Sequence, residues 1–141
     1  MQETNISINE IIMYLRKSRS DDPYMTVEKV LARHERQLQD YALSSFGSII
    51  PEERIFREVV SGETIADRPV MQSVMKYLES GQIKGVLVIE PQRLSRGDLE
   101  DCGRIINAFR YTNTLVLTPP KTYDLSDEYD RKFFEMELTR G

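Results

Sequence analysis

Tyr14, Arg16 and Ser18 stand two residues apart at the end of an apolar run, so a backbone that stays extended points all three to one side. A serine hydroxyl becomes a nucleophile when a nearby positive field helps it ionise, and a guanidinium at fixed separation can supply that field while holding a phosphate. Two later segments carry the same side-chain types. Ser61-Gly62 is followed by Asp67-Arg68-Pro69, and further on comes Gln92-Arg93-Leu94-Ser95-Arg96. Brought together, Arg16, Arg68, Arg93 and Arg96 would make a four-arginine anion site with no compensating acidic cluster. Arginine suits phosphate because its planar group donates paired, charge-assisted hydrogen bonds and stays charged at any working pH. Such a set could stabilise the extra charge of a pentavalent phosphorus transition state, the work that Mg²⁺ does in metal-dependent nucleases. No close acidic pair adjoins these arginines in the sequence, so neither a metal ion nor another cofactor is expected.

The hydrophobic periodicity supplies elements to position these segments. Ile11 to Leu15 reads as a strand, and Val27 to about Phe46 as a long amphipathic helix with Val27, Val30, Leu31, Leu38, Tyr41 and Ala42 on its stripe. Phe56 to Val60 reads as a second strand, and the spacing of Val70, Val74, Tyr77 and Leu78 as a second helix. Gly85 to Ile89 is an unbroken apolar run, the pattern of a parallel strand covered on both faces. Asp98 is placed to cap a third helix buried through Leu99, Cys102, Ile106 and Phe109, and Thr114 to Leu117 makes a fourth strand. Pro119 and Pro120 break the chain before a last helix that follows Ser126, with Asp127 and Glu128 at the positive end of its dipole. This alternation predicts an α/β fold, a three-layer α/β/α sandwich around a mostly parallel sheet of four to five strands. Such folds place their chemistry beyond the carboxyl ends of the strands, where all three candidate segments fall.

With 141 residues, 40% hydrophobic and 30% charged, the chain has the composition of one domain with a real core. The expected division is residues 1–125 for that domain and 126–141 for the start of a longer helix cut short at Gly141. Its apolar runs are too short to span a bilayer, and Met1 to Glu10 lacks the blocks of a secretory signal, so a cytoplasmic protein with no membrane partner is expected. Cys102 is the single cysteine and His34 the single histidine, which leaves no structural zinc site to propose. A net charge of −4 runs against an autonomous DNA binder. If DNA is the substrate, the basic groups must be focused in one cleft, and most of the binding energy must come from protein outside this stretch.

Each candidate has an ordinary reading when taken alone. A serine or arginine past a strand is commonly a cap or a solvated loop residue, Tyr14 a strand aromatic, and His34, between Leu31 and Leu38, a packed histidine. The ordered set is more specific than any member. Tyr14-Leu15-Arg16-Lys17-Ser18 resembles the Y-x-R-x-S motif of the serine recombinases, the resolvase/invertase family. Ser61-Gly62 with Asp67-Arg68-Pro69 resembles that family's SG…RP segment, and Arg93-Leu94-Ser95-Arg96 the core of its DRLSR motif. Tyr41-Ala42 closing the first helix and Asp124-Leu125-Ser126 opening the last also fit the large members, so the likeness runs over roughly residues 11 to 141.

The resemblance implies a resolvase-like fold in which Ser18 attacks a DNA phosphodiester, leaving a phosphoserine and a free 3′-hydroxyl before strand exchange and religation. It implies DNA as the partner, no small-molecule substrate, and a homo-oligomer that is a dimer and, when synapsed, a tetramer; the isolated stretch is not expected to be competent alone. Arg16, Arg68, Arg93 and Arg96 carry over as phosphate-binding and leaving-group residues, with Tyr14, His34, Ser61, Asp67, Gln92 and Ser95 in support. The segment from Ser126 onward corresponds to the start of the oligomerisation helix. Two positions depart from the pattern: Gln92 stands where the family has an acid, and His34 where it usually has a glutamine. Both can still form hydrogen bonds. The competing reading is a catalytically silent resolvase-like interaction domain, against which stands the retention of Ser18 with all four arginines. A small-molecule phosphate enzyme ranks below both, since there is no GxxxxGK loop.

Overall fold

A strand buried along its whole length has to lie inside a sheet, and β1 (Ile11–Lys17) is buried at every position, Arg16 and Lys17 included. It pairs in parallel with β2 (Ile55–Val59) on one side and with β3 (Gly85–Leu87) on the other. β3 pairs in parallel with β4 (Leu115–Leu117), and β4 pairs antiparallel with β5 (Thr122–Tyr123), giving the order β2-β1-β3-β4-β5. The protein is seen here as a computed structural model, which describes residues 6–17, 26–59, 68–95 and 99–138. Pro119 and Pro120 do more than break the chain. Thr118 and Lys121 exchange backbone hydrogen bonds around them, and that turn folds β5 back along β4.

Among the described residues four helices cover the sheet: α1 (Val27–Phe46), α2 (Pro69–Glu79), α3 (Leu99–Tyr111) and α4 (Glu128–Leu138). The Thr26 hydroxyl caps α1 by accepting from the Lys29 amide, and the helix ends at Gly47, whose φ of 80° is a left-handed conformation that costs glycine no Cβ clash. The alternation of β1 then sorts the core. Ile11, Met13 and Leu15 pack with Leu31, Leu38 and Ala42 of α1, whereas Ile12 and Tyr14 pack with the buried stripes of α2, α3 and α4. The molecule is therefore the α/β/α sandwich that the alternation predicts. Among the described residues no helix is long and apolar enough to cross a membrane.

Two assignments to buried stripes do not hold. Leu99 is 86% exposed because it lies in the first turn of α3 beside the open groove shared with Met136 of α4, and Ile105 completes the buried stripe of α3. Tyr77 is half-exposed, its ring edge-on to Phe56 at 5.4 Å, while Met71 takes the inner position on α2. Asp98 lies outside the described residues. α4 turns Phe134 and Leu138 into the main core, with Phe134 edge-on to Tyr123 at 5.5 Å, and leaves Phe133 and Met136 outward.

Phe134→Ala removes a fully buried ring and is expected to destabilise the domain by about 3–5 kcal/mol, against less than about 1.5 kcal/mol for half-exposed Phe133→Ala. Urea unfolding followed by circular dichroism checks this. Equal small losses would mean that α4 is not part of the cooperative unit.

Candidate active site

The order β2-β1-β3 creates a switch point: the chain passes from β1 to β2 on one side and comes back to β3 on the other. Pro91–Arg93 form a single 3-10 turn beyond β3. A turn this short cannot satisfy its own last carbonyls. Those of Gln92, Arg93 and Leu94 are met instead by guanidinium groups from the other two segments.

Arg16, near the end of β1 and only 3% exposed, donates from Nε to the Arg93 carbonyl at 3.0 Å and from Nη2 to the Gln92 carbonyl at 2.7 Å. Arg93 answers by donating from Nη1 to the Arg16 carbonyl at 3.3 Å, while its Nε and Nη2 lie 3.0 and 2.9 Å from Glu90 Oε2. Each arginine thus holds the other's main chain. Arg68, the residue before α2, is wholly enclosed; it donates from Nη1 to the Leu94 carbonyl and from Nη2 to Asp101 Oδ2, both at 2.8 Å. The same carboxylate oxygen accepts the Ser95 hydroxyl at 2.8 Å, and the Cys102 thiol lies 3.5 Å from that hydroxyl.

Arg68 is placed in turn by Glu58, near the end of β2. Pro69 has no N–H to offer, so the free amides of α2 begin at Val70, and the buried Glu58 carboxylate accepts from Val70 at 2.8 Å and from Met71 at 3.0 Å. Its Oε1 also accepts the Tyr14 hydroxyl at 2.6 Å. Burial, and then this hydrogen bond and the Glu58 charge, push the Tyr14 hydroxyl well above the ordinary phenol range, so it stays protonated and donates. Tyr14 therefore ties β1 to the start of α2.

The structure gathers Tyr14, Arg16, Arg68, Gln92, Arg93 and Ser95 around the switch point. His34 is buried on α1 between Leu31 and Leu38, which pack against the face of the sheet opposite Tyr14. Gln92 contributes its main-chain carbonyl; its buried side-chain Oε1 has no hydrogen-bond partner among the described residues. Ser18, Ser61, Asp67 and Arg96 lie outside the described residues. Those residues hold no group of three or more His, Cys, Asp or Glu side chains able to bind a metal ion.

The expectation of arginines without compensating acids is incorrect. Glu90 pairs with Arg93 and Asp101 with Arg68, because a guanidinium taken out of water needs an anion or several carbonyls in its place. Of the acids that sequence reasoning missed, Glu90 was within reach as an i, i+3 neighbour of Arg93. Glu58 was signalled weakly by falling three residues after Ile55, in a strand where only those two positions are buried. Asp101 gave no signal beyond being an ordinary acid in the first turn of a helix.

Residues 11–138 match the family model of the resolvase N-terminal domain. The chain belongs to the resolvase family. Its fold is that of serine recombinase catalytic domains: it is similar to the N-terminal catalytic domain of TP901-1 integrase, at 18% identity and a TM-score of 0.64 over 89% of this chain and 88% of that one. It is also similar to the C-terminal catalytic domain of ISC1926 TnpA, an IS607-like serine recombinase, at 23% identity and a TM-score of 0.60 over 77% and 66% of the two chains. A serine recombinase from Sulfolobus solfataricus matches at 16% identity and a TM-score of 0.55 over 87% and 74%.

In this resolvase-family domain the two ion pairs differ sharply in their surroundings. The Arg68 and Asp101 side chains are 0% and 2% exposed, whereas Glu90 is 45% exposed. Asp101→Ala, which strands a buried guanidinium, is expected to cost about 3–5 kcal/mol, and Glu90→Ala less than about 1 kcal/mol. Pairing Asp101→Leu with Arg68→Met should recover most of the loss, because removing both charges also removes their desolvation. Denaturant titration of the single and double variants measures this; a double variant no better than Asp101→Ala would contradict the assignment.

Proposed function

We propose that this domain carries out site-specific DNA recombination by transesterification at Ser18. The Ser18 hydroxyl oxygen attacks the scissile phosphorus, the new P–O bond forms as the bond to the 3′-oxygen breaks, and the proton lost by the serine is balanced by the one the 3′-oxygen gains. The products are a phosphoserine ester and a free 3′-hydroxyl, and religation is the reverse. What carries this reading is the reciprocal clasp of Arg16 and Arg93 at the switch point, because Arg16 precedes Ser18 by two residues in the sequence. A phosphate ligand fixed two residues before the nucleophile suits an in-line attack.

In this reading Arg16, Arg68, Arg93 and Arg96 hold the phosphate and stabilise both the transition state and the leaving oxygen, which leaves no task for a metal ion. Tyr14, His34, Ser61, Asp67, Gln92 and Ser95 support them. DNA is the substrate, and the working form is a homo-oligomer, a dimer that becomes a tetramer. α4 begins the oligomerisation helix, where Phe133 and Met136 remain exposed. With a net charge of −4, the domain relies on other parts of a full-length protein for most of its DNA affinity.

One observation favours the alternative of a silent interaction domain: Arg68 is fully enclosed and already paired with a carboxylate. Trapping with a nicked substrate separates the two readings. The full-length protein is expected to form a covalent DNA adduct in the presence of EDTA, and Ser18→Ala to lose the adduct while still binding DNA. Strict Mg²⁺ dependence of cleavage would point to a nuclease mechanism, and failure of the unaltered protein to form any adduct on its own site would favour the silent domain.

A further inference from the structure

If Arg68 is to meet a phosphate, its enclosure is a problem, since a side chain that is 0% exposed offers nothing to a ligand arriving from solvent. Its surroundings supply an answer. Nη2 donates to Asp101 Oδ2 at 2.8 Å, and that oxygen also takes the Ser95 hydroxyl at 2.8 Å, so an oxygen anion already occupies the position that a phosphate oxygen would take on Arg68.

We propose that Asp101 is a positioning residue that withholds Arg68: its carboxylate stands in for the phosphate in the resting domain, and Arg68 engages a phosphate only by exchanging one anion for the other. This rests on the reading of Arg68 as a phosphate ligand. The exchange conserves charge around the guanidinium, which passes from one anionic oxygen to another and is at no stage left buried and uncompensated. Asp101 is not left bare either, because the Ser95 hydroxyl remains bonded to it. Ser95 belongs to the same segment whose carbonyls hold Arg16 and Arg68, so release of Arg68 would be felt through that segment at Arg16. Glu90 does not offer the same control over Arg93, since it is half-exposed and water can replace it.

Withholding lowers the apparent phosphate affinity in proportion to the fraction of Arg68 that is free to bind. The test uses inorganic phosphate and this chain, read at the Arg68 Nε–H resonance by NMR and assigned through Arg68→Lys. Asp101→Asn keeps the shape but removes the charge, and is expected to bring Arg68 into phosphate binding with an apparent affinity about tenfold above that of the unaltered chain. Ser95→Ala removes one support of the carboxylate without stranding a charge; it keeps the test available if Asp101→Asn does not fold, and is expected to give an intermediate gain of about threefold. A wild-type Arg68 that responds to phosphate as strongly as the variants, or variants whose Arg68 does not respond, would overturn the proposal. The measurement involves neither Ser18 nor DNA, so its failure is distinguishable from failure of the transesterification reading.

Discussion

Guanidinium groups reach the segment after β3 from two directions, Arg16 from β1 and Arg68 from the start of α2, and both end on carbonyls of its short 3-10 turn and the residue after it. The rest of the site follows from that convergence. The turn is too short to use its own last carbonyls, and the crossing of the chain at the β1–β3 switch point brings cationic donors to them. Were the turn a full helix, those carbonyls would be spent internally and the arginines would have no fixed place. The three segments are thus joined by main-chain acceptors, which cannot rotate away as an acidic side chain can.

The same convergence sets the electrostatics. Carbonyl dipoles alone do not compensate a guanidinium that is fully enclosed, and the deepest one, Arg68, is the one with a buried carboxylate at 2.8 Å. Arg93, nearer the surface, has a half-exposed partner in Glu90. Glu58 has a different task. It holds the first amides of α2 and the Tyr14 hydroxyl, fixing the backbone from which Arg68 projects. Asp101 and Glu90 let the arginines sit in a folded protein, and under the exchange proposed above Asp101 also sets how readily Arg68 turns to a ligand.

Much of this was legible in the sequence. The apolar run of β3 announced a parallel sheet, the 3.6-residue stripe of α1 was present over its full length, and the motifs around Arg16, Arg68 and Arg93 fell at or just beyond strand ends, where α/β folds collect chemistry, although β1 runs two residues further than the apolar run, through Arg16 to Lys17. What was not legible has physical causes. Periodicity marks the sheet-facing side of a helix but not where the sheet ends, so Leu99 was placed in the core although it borders an open groove. A buried acid such as Asp101 looks the same in a sequence as the solvated acids that favour any helix N-terminus. β5 is two residues long and exists through the turn at Pro119-Pro120, which reads only as a break.

The central chemical claim is that the residue reached two positions after Arg16 in the sequence is the one that becomes bonded to DNA, in preference to Ser20, Ser61 and Ser95. Fragment-ion mass spectrometry of the trapped and digested adduct addresses it most directly. A nucleotide remnant is expected on Ser18, and a remnant on Ser20, Ser61 or Ser95 would contradict the claim.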